Sequence, residues 1–250
     1  MTRPSSLAPR GPFASCDRAV LRRDMVATAG MAVAAFLAAT SPSQAAEHQS
    51  RQTVAPIAAS PMPDAATRRV EDWIVRSSDN QGLPFLIIDK INAQAIAFDA
   101  EGRRMGETPA LLGLGRGDVS PQGIGDRPLS SIGPGERITP AGRFTASLGQ
   151  NLAGKGVLWV DYNAALSLHV VVTTRAADRR LERLATASPV DNRISYGCIN
   201  VPAGFYADVV EPLFRGTTGI VYILPEVTPI ENFFDTSGGF APTPPSRDPG

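Results

Sequence analysis

At 250 residues the chain can bury a sizeable core without metal or disulfide support. Its 24 basic residues balance 24 acidic ones, which excludes a nucleic-acid partner recognised through basic excess. Twenty-three glycines, 22 prolines and few aromatic residues favour a mainly β, loop-rich architecture over a helical bundle.

Residues 1–45 read as an export signal. Arg18, Arg22 and Arg23 precede an alanine-rich apolar run from Met25 to Ala39, and "SPSQAAE" offers small residues for cleavage near Ala45 or Ala46. The run is too short to span a bilayer comfortably, so no integral membrane segment is expected after cleavage. "LRRDMVA" resembles a twin-arginine signal, which implies export to the periplasm or cell envelope. Cys16 would leave with this segment, so Cys198 is expected to stand alone in the mature chain. Residues 46–69 have no sustained periodicity and read as a flexible linker, 70–228 as the domain, and the Gly- and Pro-dense 229–250 as a disordered tail.

Within the domain, 84–90 and 93–99 form a predicted hairpin, followed by predicted strands at 142–148, 156–162, 166–174 and 219–224. Two helices are expected. "AADRRLERLA" aligns Leu181 and Leu184 on one face, and "VPAGFYADVVEPLF" sets Phe205, Val209 and Leu213 at helical spacing, with Pro212 ending or kinking it. Between strands, 113–139 is a long Gly- and Pro-rich loop, a length associated with lids and binding loops. Two histidines and no clustered acidic ligands leave no metal signature, and no cofactor is expected.

Cysteine catalysis needs a thiolate, a base and backbone donors for the oxyanion. His48 lies in the linker, which leaves His169, in the strand pattern "LSLHVVVTT", as the base for Cys198 in "NRISYGCINVP". Taken singly, Cys198 reads as a buried small hydrophobe and His169 as a satisfied sheet histidine. Arg193 and Arg143, near the cysteine and in "ITPAGRF", are candidate readers of substrate carboxylates because a guanidinium grips them bidentately.

Read together, these residues resemble the L,D-transpeptidase catalytic domains. "ISYGCINV" matches that family's signature at Ser195, Gly197, Cys198, Ile199 and Asn200, with His169 as the upstream strand histidine. "ITPAGRF" is similar to its Thr-Pro-x-Gly-x-Phe segment, and the resemblance covers most of 84–224. It implies a β-sandwich with one or two short helices and an exported, monomeric cysteine acyltransferase acting on peptidoglycan stem peptides. Cys198 would be the nucleophile and His169 its base, the N–H groups of Gly197 and Cys198 the oxyanion donors, and Ser195 a support for the turn. Asn200, which also supports the turn, Arg193 and Arg143 would be the substrate-binding residues. Tyr196 stands where the family has histidine; it can donate a hydrogen bond to an oxyanion but supplies no positive charge. The same cysteine would also serve an L,D-carboxypeptidase or D-amino-acid exchange enzyme, and loss of chemistry would leave a cell-wall-binding module.

Overall fold

The hairpin of β1 (Phe85–Asp89) and β2 (Gln94–Phe98) pairs antiparallel, with Phe85 opposite Phe98 and Asp89 opposite Gln94. Every residue of β1 is buried, the mark of a strand covered on both faces. The computed structural model describes residues 65–236. The export signal, the linker up to residue 64 and the tail beyond 236 lie outside the described residues.

The domain is mainly β. After the hairpin come β3 (Arg104–Pro109), β4 (Leu112–Gly113), β5 (Gly142–Gln150), β6 (Gly156–Asp161), β7 (Leu166–Val170), β8 (Arg193–Ser195), β9 (Ile199–Val201) and β10 (Thr218–Ile223). Eight strands form one sheet in the order β3-β2-β1-β10-β5-β6-β7-β9, while β4 and β8 form a separate parallel pair. The β1/β10 and β7/β9 pairs are parallel and the other pairs of the large sheet antiparallel. The chain leaving β3 returns to the far edge: the Leu111 N–H donates to Asn200 O at 2.8 Å and the Asn200 N–H to Leu111 O at 2.9 Å. That bridge brings the two edges of the sheet almost to closure and protects both from pairing outside the chain.

Alternation along the strands divides the apolar residues between two cores. The inner core joins Leu86, Ile88, Leu158, Leu168, Ile199, Val201 and Val221 from strands on both halves of the sheet. It is filled by a helical stretch at 203–214 whose Tyr206, Val210 and Phe214 are buried. The stretch is α-helical at Ala203–Phe205 and Glu211–Phe214 and widens to a π-helical turn at Tyr206–Val210. The buried stripe therefore falls one position after the expected one, and Phe205, Val209 and Leu213 are its half-buried flank. The widened turn comes just before Pro212, which has no N–H to offer the carbonyl four residues back in a regular helix.

On the outer face α1 (Ala65–Ser77) lays Val70 and Ile74, four residues apart, over Phe85, Ile87, Phe98, Ile220 and Tyr222. Each such side chain buried contributes about 1.5–3 kcal/mol. Phe85 stacks on Phe98 at 4.6 Å, and Tyr222 meets Phe85 edge-on at 5.9 Å. Two boundaries move accordingly. Residues 65–69, read as linker, are the first turns of α1, and Ile230 and Phe234, read as tail, are buried in the same cluster. In the charged segment between β7 and β8, α2 (Arg180–Ala185) buries Leu184 and leaves Leu181 exposed.

Candidate active site

Cys198 sits in the short turn from β8 to β9, with 4% of its surface exposed. Strand register places it on the same face as His169. Leu168 pairs with Ile199 and His169 with Asn200, so Cys198 lies level with Ser167 and His169 comes one pleat later. Leu168 and Ile199 face the inner core, which turns Ser167, His169, Cys198 and Asn200 to the outer face. Parallel-strand spacing of about 4.8 Å and rise of about 3.3 Å per residue put the His169 and Cys198 Cα atoms roughly 8 Å apart. The Cys198 Sγ lies 3.7 Å from Ser167 Oγ and 3.6 Å from Ala165 O.

Cys198 is disulfide-bonded, with its partner outside the described residues. Chemistry at Cys198 requires that bond to be opened.

Side-chain hydrogen bonds build the cysteine turn. Ser195 Oγ donates to Cys198 O at 2.6 Å and accepts from the Gly197 N–H at 3.1 Å. The Gly197 N–H is thus engaged inside the turn, so its expected part as an oxyanion donor does not hold. Buried Thr139 ties the turn to β4: it accepts from the Gly113 N–H at 2.9 Å and donates to Gly197 O at 2.7 Å. That bond gives the Thr-Pro-Ala-Gly segment its place in the site. Gly197 has φ +128°, and a Cβ there would meet Ile138 O at 2.8 Å. Gly197→Ala is expected to cost about 1–3 kcal/mol of stability through backbone strain, read as a lowered urea midpoint.

His169 is held from both ring nitrogens. Its Nδ1 lies 2.8 Å from Val170 O, and Asn200 Nδ2 lies 3.5 Å from its Nε2. Asn200 Nδ2 also donates to Cys198 O at 3.3 Å, while Asn200 Oδ1 accepts from Arg180 Nη1 at 2.9 Å. Asn200, expected to touch substrate, is 1% exposed and so acts within the protein. Tyr196 carries the Arg137 guanidinium over its ring, 4.0 Å from the centroid. A permanent cation thus stands against the Tyr196 ring beside Gly197.

Neither expected carboxylate-reading arginine faces the cysteine. Arg193 is 8% exposed and bonded to Glu226 through both terminal nitrogens, at 3.1 and 2.7 Å, and to Lys90 O at 2.6 Å. Arg143 donates to Asp79 at 2.6 and 2.8 Å beside Tyr222. It lies on β5, three strands from β9 and roughly 14 Å away at about 4.8 Å per strand.

Arg193 belongs to a buried ion network with Lys90, Asp118 and Glu226. Lys90 Nζ donates to Asp118 Oδ1 at 2.8 Å, Gly117 O at 2.6 Å and Thr139 O at 3.0 Å, and lies 3.8 Å from Glu226. Asp118 also accepts the N–H groups of Glu226, Val227 and Thr228. The network fastens both roots of the 113–139 loop to the strand that leads into Cys198.

Between those roots the loop makes three short 3₁₀ turns, Ile124–Asp126, Leu129–Ser131 and Pro134–Glu136, clamped by Arg127 on Glu136 at 2.7 and 3.1 Å. It lies hard on the β6–β7 connection: a Cβ on Gly125 would meet Asn163 O at 2.4 Å. Ile124, Ile132 and Ile138 close with Tyr196 and Cys198 around a cavity of only ≈ 20 Å³. An open groove of ≈ 380 Å³ adjoins it, sharing Ser120, Ile124, Pro140 and Ala164.

Sequence reasoning named Cys198, His169 and their turn, but missed Ser167, Arg180 and the Lys90 network. Ser167 carried a signal, since it shares the strand face of His169. No family model matches the chain, and no curated protein matches its sequence. Among solved structures the chain is similar to the helical cell shape determining protein Pgp2, a K307A mutant, from Campylobacter jejuni, at 9% identity and a TM-score of 0.36. The match covers 66% of this chain and 58% of that one, less than two thirds of its length, and carries no weight for function.

Proposed function

We propose that the protein is an exported cysteine acyltransferase of the L,D-transpeptidase type, acting on peptidoglycan stem peptides in the periplasm or cell envelope. The observation that supports this reading is the register of β7 and β9, which sets His169 and Cys198 side by side on one face over a glycine turn. Thiol–disulfide exchange with a dithiol opens the Cys198 disulfide and leaves the thiol. Its proton passes to His169 as the sulfur attacks the carbonyl before the terminal D-alanine. The Cys198 N–H faces the developing oxyanion, and collapse returns the proton to the departing amine. A thioester on Cys198 remains, and an amine from a neighbouring stem displaces it, regenerating the thiol.

The test uses the dithiothreitol-reduced chain with disaccharide tetrapeptide, followed by intact-mass spectrometry. An adduct equal to the stem minus D-alanine is expected on the wild type and absent from Cys198→Ser. Absence of both the adduct and any Cys198-dependent product overturns the reading. Cross-linked dimers support transfer, trimmed tripeptide alone assigns the same cysteine to a carboxypeptidase, and stems exchanged with added D-amino acids assign it to an exchange enzyme.

A further inference from the structure

We infer that Arg180 is a positioning residue that sets the tautomer of His169 through Asn200; the inference rests on the Cys198–His169 reading above. An asparagine side chain can present either its oxygen or its NH₂ to a neighbour, and the hydrogen-bond network decides which. Here Arg180 Nη1, a donor only, lies 2.9 Å from one end of the Asn200 amide, which must therefore be the oxygen. Arg180 is itself held by Asp178, with Nε and Nη2 each 3.1 Å from Oδ2. The NH₂ end of Asn200 then faces Cys198 O and the Nε2 of His169, at 3.3 and 3.5 Å.

A donor pointed at Nε2 requires a lone pair there. The proton of the neutral ring consequently sits on Nδ1, where Val170 O accepts it at 2.8 Å. Neutral imidazole in water prefers the opposite tautomer, so the protein imposes this one. It leaves Nε2 with the ring's one lone pair, and so as the atom that takes the thiol proton. Arg180, with Asp178 bonded to it, approaches the ring through Asn200, and Cys198 lies on the same face in the turn before β9. Without Arg180 the Asn200 amide is free to rotate and offer its oxygen to Nε2, which stabilises the Nε2–H form. Arg180 lies in the charged segment between His169 and Cys198, so that segment becomes part of the site.

The full-length chain, reduced with dithiothreitol and labelled with ring-¹⁵N histidine, tests this by long-range ¹H–¹⁵N spectroscopy at a pH where the imidazole is neutral. Its two histidines are assigned with a His48→Gln variant. Wild type should carry the proton on Nδ1, Arg180→Met should shift it toward Nε2, and Arg180→Lys, which keeps a donor, should restore it in part. Asn200→Asp offers only oxygen to Nε2 and should protonate that nitrogen even if Arg180→Met fails to fold. Iodoacetamide alkylation of Cys198 should slow about tenfold in Arg180→Met, with a displaced pH profile. An Nε2–H tautomer in wild type, a tautomer unchanged in the variants, or a shifted tautomer with an unchanged alkylation profile overturns the inference. The tautomer is read whether or not a stem-peptide adduct forms, which separates its failure from failure of the acyltransferase reading.

Discussion

Lys90→Met is expected to lower the unfolding free energy by about 3–5 kcal/mol, the cost of leaving buried charge without its partner. The Lys90 side chain is fully buried, and Asp118 and Glu226 beside it are 2% and 1% exposed. Burial pulls the lysine below its ordinary pKa, although the bond to Asp118 and the charge of Glu226 oppose that shift. Removing the ammonium strips Asp118 of its closest cation and leaves Gly117 O and Thr139 O without their donor. The same network sets an acid limit. Burial alone would raise the Asp118 carboxyl, but Lys90 and the N–H groups of Glu226 and Thr228 outweigh it and hold the group well below the usual carboxylate range. A carboxyl depressed in the folded state contributes stability that is complete above its unfolded value, near 4, and is lost as pH falls toward the folded value. Urea titrations from pH 6 to 2 should show wild-type stability falling below about pH 4, and Asp118→Asn should lack that portion of the slope. A Lys90→Met midpoint within error of wild type would rule out the network as the anchor of the loop.

His169→Ala is expected to lower kcat/KM for thioester formation by about 10²–10⁴, the usual contribution of a general base. At about 1.36 kcal/mol per decade this is roughly 3–5 kcal/mol of barrier. The side chain is half-buried on the outer face and takes no part in the inner core, so the loss should fall on turnover and leave the thermal midpoint nearly unchanged. The pH profile should lose the inflection that belongs to the imidazole, and the remaining rate should rise with the thiolate fraction alone. Stopped-flow detection of the acyl-enzyme on both variants measures the drop. An unaltered rate would make His169 a structural residue of the sheet.

Most of the long strands were legible because apolar runs bounded by Gly, Pro and Asn leave a local pattern. β4, β8 and β9 were not, since two or three residues show no period, and β3 is polar apart from Met105 and Pro109. α1 was hidden because its apolar stripe is narrow and sits beside a Pro- and Ser-rich run. In the site, Cys198, His169 and the turn could be named because residue type and order carry them. Arg193 was misassigned because proximity in sequence suggested a substrate contact, while its partner Glu226 comes from the far end of the domain. Arg180, Lys90 and Asp118 act through partners distant in sequence and leave no local trace.

Asn200 closes the two edges of the sheet with its main chain and faces His169 with its side chain. The segments that meet at Leu111 and Asn200 are far apart along the chain, so loop-closure entropy must be overcome before that bridge forms. Assembly of the proposed Cys198–His169 pair is therefore tied to a long-range contact of the fold. On the proposed reading, a chain still open at this seam holds Cys198 without an oriented base and should form no acyl-enzyme.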